Sequence, residues 1–97
     1  MSISYEEARE IARRAVEPAW THGTFCVDDR VIYETDQYYV VSIAARELVV
    51  DGDQSYMLYG GVHVVYKADG KLGMLPAPTV YTDPTIRSRK NPNPTLR

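Results

Sequence analysis

The sequence predicts an α+β fold: an N-terminal helix packed on an antiparallel sheet of about four strands, arranged as a meander, with an extended C-terminal tail. Two changes of rhythm and one turn lead there. Apolar residues recur at helical spacing from Ala8 to Val16, then at spacing two from Phe25 onward. Further on, Asp69-Gly70 separates two apolar runs, which is a hairpin signal.

The helix has its own start and stop. Ser4-Tyr5-Glu6-Glu7 places a hydroxyl at the N-cap and a glutamate three residues later, a capping box with Ile3 in the staple position. Ala8, Ile11, Ala12, Ala15 and Val16 form one stripe, and Arg9, Glu10, Arg13, Arg14 and Glu17 occupy the other face. Pro18 disfavours helical geometry at Glu17 and ends the helix there. Trp20 then caps the edge of the core.

Phe25, Val27, Val31 and Tyr33 share one strand parity, broken at Asp29 by a bulge or kink. Glu34 to Gln37 is a tight turn. Tyr38 to Ala45 is the strongest strand, with Tyr39, Val41, Ile43 and Ala45 on the core side and Ser42 and Arg46 toward water. Leu48-Val49-Val50 continues that strand or begins a short new one. From Asp51 to Gly61 the chain reads as a loop that carries Tyr56, Met57, Leu58 and Tyr59. Such a loop either folds back over the core, with a helical turn, or presents a binding patch. Val62 to Lys67 and Lys71 to Leu75 form a hairpin around a type I′ turn at Asp69-Gly70. Pro76 and Pro78 end it. The domain is therefore expected over residues 1–78. Residues 79–97, rich in Pro, Thr, Asn and Arg, run extended over it or hang free.

Composition sets the class. The chain has 97 residues, 44% hydrophobic and 25% charged, so it suits one globular domain. There is one cysteine, no signal-peptide pattern and no apolar run near the ~18 residues of a membrane span. The expectation is a cytoplasmic protein with no membrane association.

Catalytic material is thin. Cys26 with His22 or His63 makes a nucleophilic site only if the fold joins them, and a lone strand cysteine is ordinarily a small buried hydrophobe. Two histidines and one cysteine at these spacings give no zinc site. Asp51-Gly52-Asp53 opens like a calcium loop, but Val62 stands where the closing glutamate is required. No phosphate-binding glycine loop is present. The expectation is no enzyme, no metal and no cofactor.

Charge points to a protein partner. Residues 28–53 hold seven acids against two bases, a balance of −5, while residues 71–97 hold five bases against one acid, or +4. A polarised surface of this kind speeds docking and sets specificity. An overall pI of about 5.6 has the wrong sign for nucleic acid. Eight tyrosines add rigid contact area, which suits an interface as well as a sheet. The candidate contacts are Asp28, Asp29, Asp36, Asp51 and Asp53, with Tyr56 and Tyr59. A homodimer is left open.

The order of these parts resembles the bacterial immunity-protein 35 family, also called YrhB-like. The resemblance rests on the helix YEEAREIA, the aromatic strand Tyr38–Val41, then Arg46, Leu48, Gly52-Asp53, Gly60, the strand Val62–Tyr66 and the turn Asp69-Gly70. It spans about residues 5–76. Where that family often carries Asn-Ala-Pro, this chain has Gly61-Val62-His63. The resemblance implies a non-enzymatic immunity protein that occludes a cognate toxin. A weaker similarity, carried by EEAREIA and ADGKL, is to PepSY domains. Two other readings stand beside it, the first of them on the same surface. One is a phage or plasmid accessory factor that binds a host protein. The other is a small-ligand domain, which requires a pocket lined by Trp20, His63 and tyrosines.

Overall fold

Ser4 caps the first helix in the computed structural model, which describes residues 2–58 and 60–96. Its Oγ accepts from the Glu7 N–H at 3.1 Å, and Glu7 Oε1 accepts from the Ser4 N–H at 3.2 Å. Helix α1 (Tyr5–Val16) passes into a short 3-10 turn, Glu17–Ala19, at Pro18. Its buried face is Tyr5, Ala8 and Ala12, with Ile11 packed beside them; Ala15 is exposed, so the stripe is narrower than its spacing predicts.

Among the described residues seven strands follow, in two antiparallel sheets. They are β1 (Phe25–Val27), β2 (Val31–Glu34), β3 (Tyr38–Val41), β4 (Ile43–Ala45), β5 (Gly61–Tyr66), β6 (Leu72–Pro76) and β7 (Arg87–Lys90). The main sheet has the order β6-β5-β3-β2-β7, and β1 pairs with β4 alone. The helix-on-antiparallel-sheet fold is therefore as the sequence implies, with five strands in the main sheet rather than about four.

The differences have physical causes. At Asp29 the chain leaves one sheet and enters the other, so the broken parity marks two separate strands. The long strand from Tyr38 divides at Ser42 in the same way: β3 pairs with β2 and β5, while β4 turns to β1. Arg46–Val49 forms a short helix, α2, instead of more strand. A 3-10 turn over Gln54–Tyr56 supplies the helical turn expected in the following loop. The β5–β6 hairpin is not type I′. That turn needs positive φ at two residues, and no described residue other than glycine has it. Instead Gly70 alone is left-handed, at φ 72°, and its N–H donates to the Tyr66 carbonyl at 2.8 Å across a longer loop.

Both faces of the main sheet are covered. On one, α1 packs Tyr5, Ala8 and Ala12 against Ile32, Tyr39, Val41 and Val65. The other face was expected to meet water. It is closed by Val80 of a third helix, α3 (Ala77–Tyr81), and by Ile86, which cover Tyr38, Val40 and Val64. All four residues of β3 are buried as a result. Six tyrosines close these layers in three edge-to-face pairs: Tyr5–Tyr39, Tyr33–Tyr81 and Tyr38–Tyr66, with ring centroids 5.8, 6.1 and 5.8 Å apart. The tyrosine richness therefore mostly builds the core.

The chain beyond residue 78 belongs to the fold. α3 crosses that expected boundary, and β7 pairs along β2 as an edge strand, from Val31↔Lys90 to Glu34↔Arg87. The tail is extended there, as anticipated, but as part of the sheet. Leu96 is buried beyond it.

Candidate functional site: an apolar groove at one end of the sheet

The acidic residues proposed as contacts go mostly to internal work. Asp29 is fully buried and cannot meet a partner. Its carboxylate accepts from Arg9 Nη1 at 2.8 Å, from Thr95 Oγ1 at 2.6 Å, and from the Thr95 and Leu96 N–H groups at 2.9 and 3.0 Å. Burial raises the Asp29 carboxyl, but these four donors outweigh it and hold it below the usual carboxylate range. Asp28 accepts from Arg30 Nε and Nη2, both at 2.9 Å. Asp36 pairs with Arg87 at 2.9 Å. Asp53 caps the 3-10 turn through the Ser55 N–H and Oγ, at 3.0 and 2.6 Å. Asp51 is exposed and has no ion pair among the described residues. The Tyr56 ring stands edge-on to His22, whose Nε2 lies 3.0 Å from the Tyr56 carbonyl oxygen. Tyr59 lies outside the described residues.

The two blocks of opposite charge meet in the fold. Pairing β7 with β2 sets Arg87 and Arg89 beside Glu34, which accepts from Arg89 Nε at 3.1 Å and Lys67 Nζ at 2.8 Å. Arg87 lies 3.5 Å from the same carboxylate. Burial pushes the Glu34 carboxyl up, yet Lys67 and Arg89 bring it below its ordinary value. Two members of each block, Glu34 and Asp36 with Arg87 and Arg89, are thus spent on closing the sheet edge.

An apolar surface remains. At one end of the main sheet β3, β5 and β6 floor a concavity of about 400 Å³. Val41, Ile43 and His63 lie in it, Trp20 and Leu58 wall one part, and Met74, Ala77 and Tyr81 wall the rest. The ladder explains the placement: His63 stands opposite Val41 on one side and Met74 on the other. Three large apolar side chains of this groove are open to solvent: Leu58 at 52%, Met74 at 58% and Tyr81 at 48% exposed. Met57, next to Leu58, is exposed as well. A cluster of this kind asks for an explanation, whereas single exposed apolar residues do not.

Two polar groups belong to this region. The Trp20 indole N–H is buried and is the one buried side-chain polar group among the described residues without a hydrogen-bond partner. His63 is half-buried, and burial lowers its pKa, so the ring is neutral at pH 7. The sign of the pH effect follows. An unfolded imidazole takes a proton near pH 6.5, and folded His63 takes it at lower pH. The unfolded state then binds more protons, and stability falls as the pH drops below about 6.5. Urea midpoints on either side of that value should differ more in the wild-type chain than in His63→Gln. Equal differences would place the imidazole in open water.

Two other features carry less chemistry. Cys26 is buried, and burial raises its thiol pKa, which keeps it protonated and inert. A concavity of about 410 Å³ beside it holds Arg9 and Arg13. Arg9 is paired with Asp29, and Arg13 with Glu10 and Glu17. Among the described residues no three His, Cys, Asp or Glu side chains gather as a metal site. No described helix is long and apolar enough to cross a membrane.

The groove was only partly legible. The apolar loop at Tyr56–Leu58 and the odd His63 signalled it, but Met74 and Tyr81 read as ordinary strand and tail residues. Comparison with protein-family models, curated proteins and solved structures gives no match to this chain.

Proposed function

We propose that this protein is a non-enzymatic binding protein that takes an apolar element of a protein partner into the groove at His63. In the reading that the immunity-protein resemblance implies, the partner is a toxin, which the bound protein occludes in the cytoplasm. The observation that carries the proposal is the concentration of Leu58, Met74 and Tyr81, all exposed, around one concavity. Of the acids first considered, Asp51 and Asp53 at the nearby loop are left to steer the encounter, since the others are buried or paired.

The test is coexpression with the product of the adjoining gene. Copurification and rescue of growth support the reading. Leu58→Glu places a charge on an exposed rim, so the fold should survive while affinity falls at least about 30-fold, the scale of an interface hot spot. Full rescue by Leu58→Glu would remove the groove from the mechanism, and no rescue by the wild-type chain would remove the immunity role.

The concavity also supports a second reading, a small and mainly apolar ligand, because a pocket lined by Trp20, His63 and a tyrosine is what that reading requires. Calorimetry with small apolar compounds in the absence of any protein partner separates the two.

A further inference from the structure

We propose that two copies of this chain pair through β6, edge to edge and antiparallel, about a two-fold axis at Gly73. This goes beyond the groove reading and does not depend on it.

The argument starts from the ladder. β6 is an outer strand of the main sheet, paired only with β5. In an antiparallel pair, successive residues turn their backbone groups alternately toward and away from the neighbour. The Tyr66 N–H donates to the Lys71 carbonyl at 2.9 Å, which fixes the phase. Val64↔Gly73 and Val62↔Leu75 are then the bonded pairs. Leu72 and Met74 point their N–H and C=O groups outward, along the open edge.

Those two residues lie symmetrically about Gly73. A second β6, run antiparallel with Gly73 opposite Gly73, sets Leu72 against Met74 of the other copy, twice. Each such pair exchanges two hydrogen bonds and brings two apolar side chains together on one face. At the axis the Cα atoms of a non-bonded pair come to about 4.5 Å, and glycine puts no side chain there. The strand Leu72–Pro76 carries no charge, and the two Lys71 residues would stand about 13 Å apart along the strands.

The other edge argues for closure at two. All four residues of β7 are exposed, and three are Arg87, Arg89 and Lys90. Glu34 and Asp36 offset two of these charges, but with Lys67 on the same carboxylate the edge stays net positive, and such an edge repels a second copy of itself, a common guard against sheet extension. Of the main sheet's two edges the uncharged β6 edge is then the one left to pair, and like-to-like pairing consumes it, giving a closed dimer.

Sedimentation equilibrium of the full chain tests this directly. At high micromolar concentration the wild type should approach twice the 11.0 kDa chain mass. Met74→Lys should return it to the single-chain mass with an unchanged melting curve, because Met74 is exposed and its N–H is unused within the chain. Register is tested by mixing a Leu72→Cys chain with a Met74→Cys chain, both in a Cys26→Ala background. Opposed Cα atoms about 5.5 Å apart suit a disulfide, so mild oxidation should give the mixed dimer. A wild-type chain of single mass throughout would overturn the proposal. So would a dimer that survives Met74→Lys and fails to cross-link, or a monomer whose β6 edge takes an extended peptide of another protein instead.

Discussion

Asp29→Ala is expected to lower folding stability by about 3–5 kcal/mol, the cost of breaking a buried ion pair by removing one partner. The side chain of Asp29 is fully buried, and four donors converge on it. Truncation removes the acceptor of two backbone N–H groups and of the Arg9 guanidinium at once. The Asn91 side chain, which donates to the Asp29 carbonyl at 2.7 Å, and the Asn91 N–H, which donates to the Arg30 carbonyl at 3.1 Å, would then be the nearest remaining ties of the tail to this junction. Chemical denaturation gives the loss, and hydrogen exchange at Thr95 and Leu96 shows where it falls. An acid titration reports the same site. The folded carboxyl titrates below its unfolded value of about 3.9, so its contribution is complete above that pH. It is lost as the pH falls further, through the folded pKa. Asp29→Ala should therefore flatten the acid limb of the stability profile. A variant within 1 kcal/mol of wild type would mean that the tail is not held through this residue.

Ile32→Ala follows, with an expected loss of about 2–5 kcal/mol, the range for deleting a fully packed aliphatic side chain. Ile32 is 1% exposed and packs in the cluster beneath α1 with Tyr39, Val41 and Val65. It sits on β2, between β3 and β7, so the surroundings have little freedom to collapse into the space. Thermal denaturation should show a single, lower transition. Val31→Ala, on the same strand but 40% exposed, is the control and should be nearly silent.

These two residues also show what a sequence does and does not disclose. The capping box at Ser4 was legible because its cause is local: a side chain meets the backbone three residues away. Ile32 was not, because the apolar parity was carried from Phe25 and Val27 into Val31 and Tyr33, and the change of sheet at Asp29 puts Ile32 on the core face instead. Asp29 was read as a surface contact because its partners lie 66 and 67 residues further along the chain. Nothing local separates a solvated aspartate from one enclosed by the tail. The same holds for the charge blocks, which looked like a docking field until β7 came to lie against β2. α2 was taken for strand because Leu48, Val49 and Val50 favour strands in isolation, whereas the described fold places Glu47 where it accepts from the Thr24 N–H. That contact spans 23 residues, beyond the reach of local pattern. The groove assembles from two connecting segments, four strands and a helix, so only its loop and His63 could be suspected.

The attachment of Thr95 and Leu96 to Asp29 bears on how the protein is born. A chain leaves the ribosome from its N-terminus, so Asp29 emerges long before the residues that satisfy it. Until synthesis has passed Leu96, the β1–β2 junction holds a carboxylate that the nascent molecule cannot bury, and β2 lacks its outer neighbour. Contacts this distant also make folding slow for the chain's size, since the ends of a long loop must meet before either gains. The helix and the central hairpins can form early, but the complete sheet waits for the residues up to Leu96. In that interval the uncovered flank of β2 is open to chaperones and proteases alike.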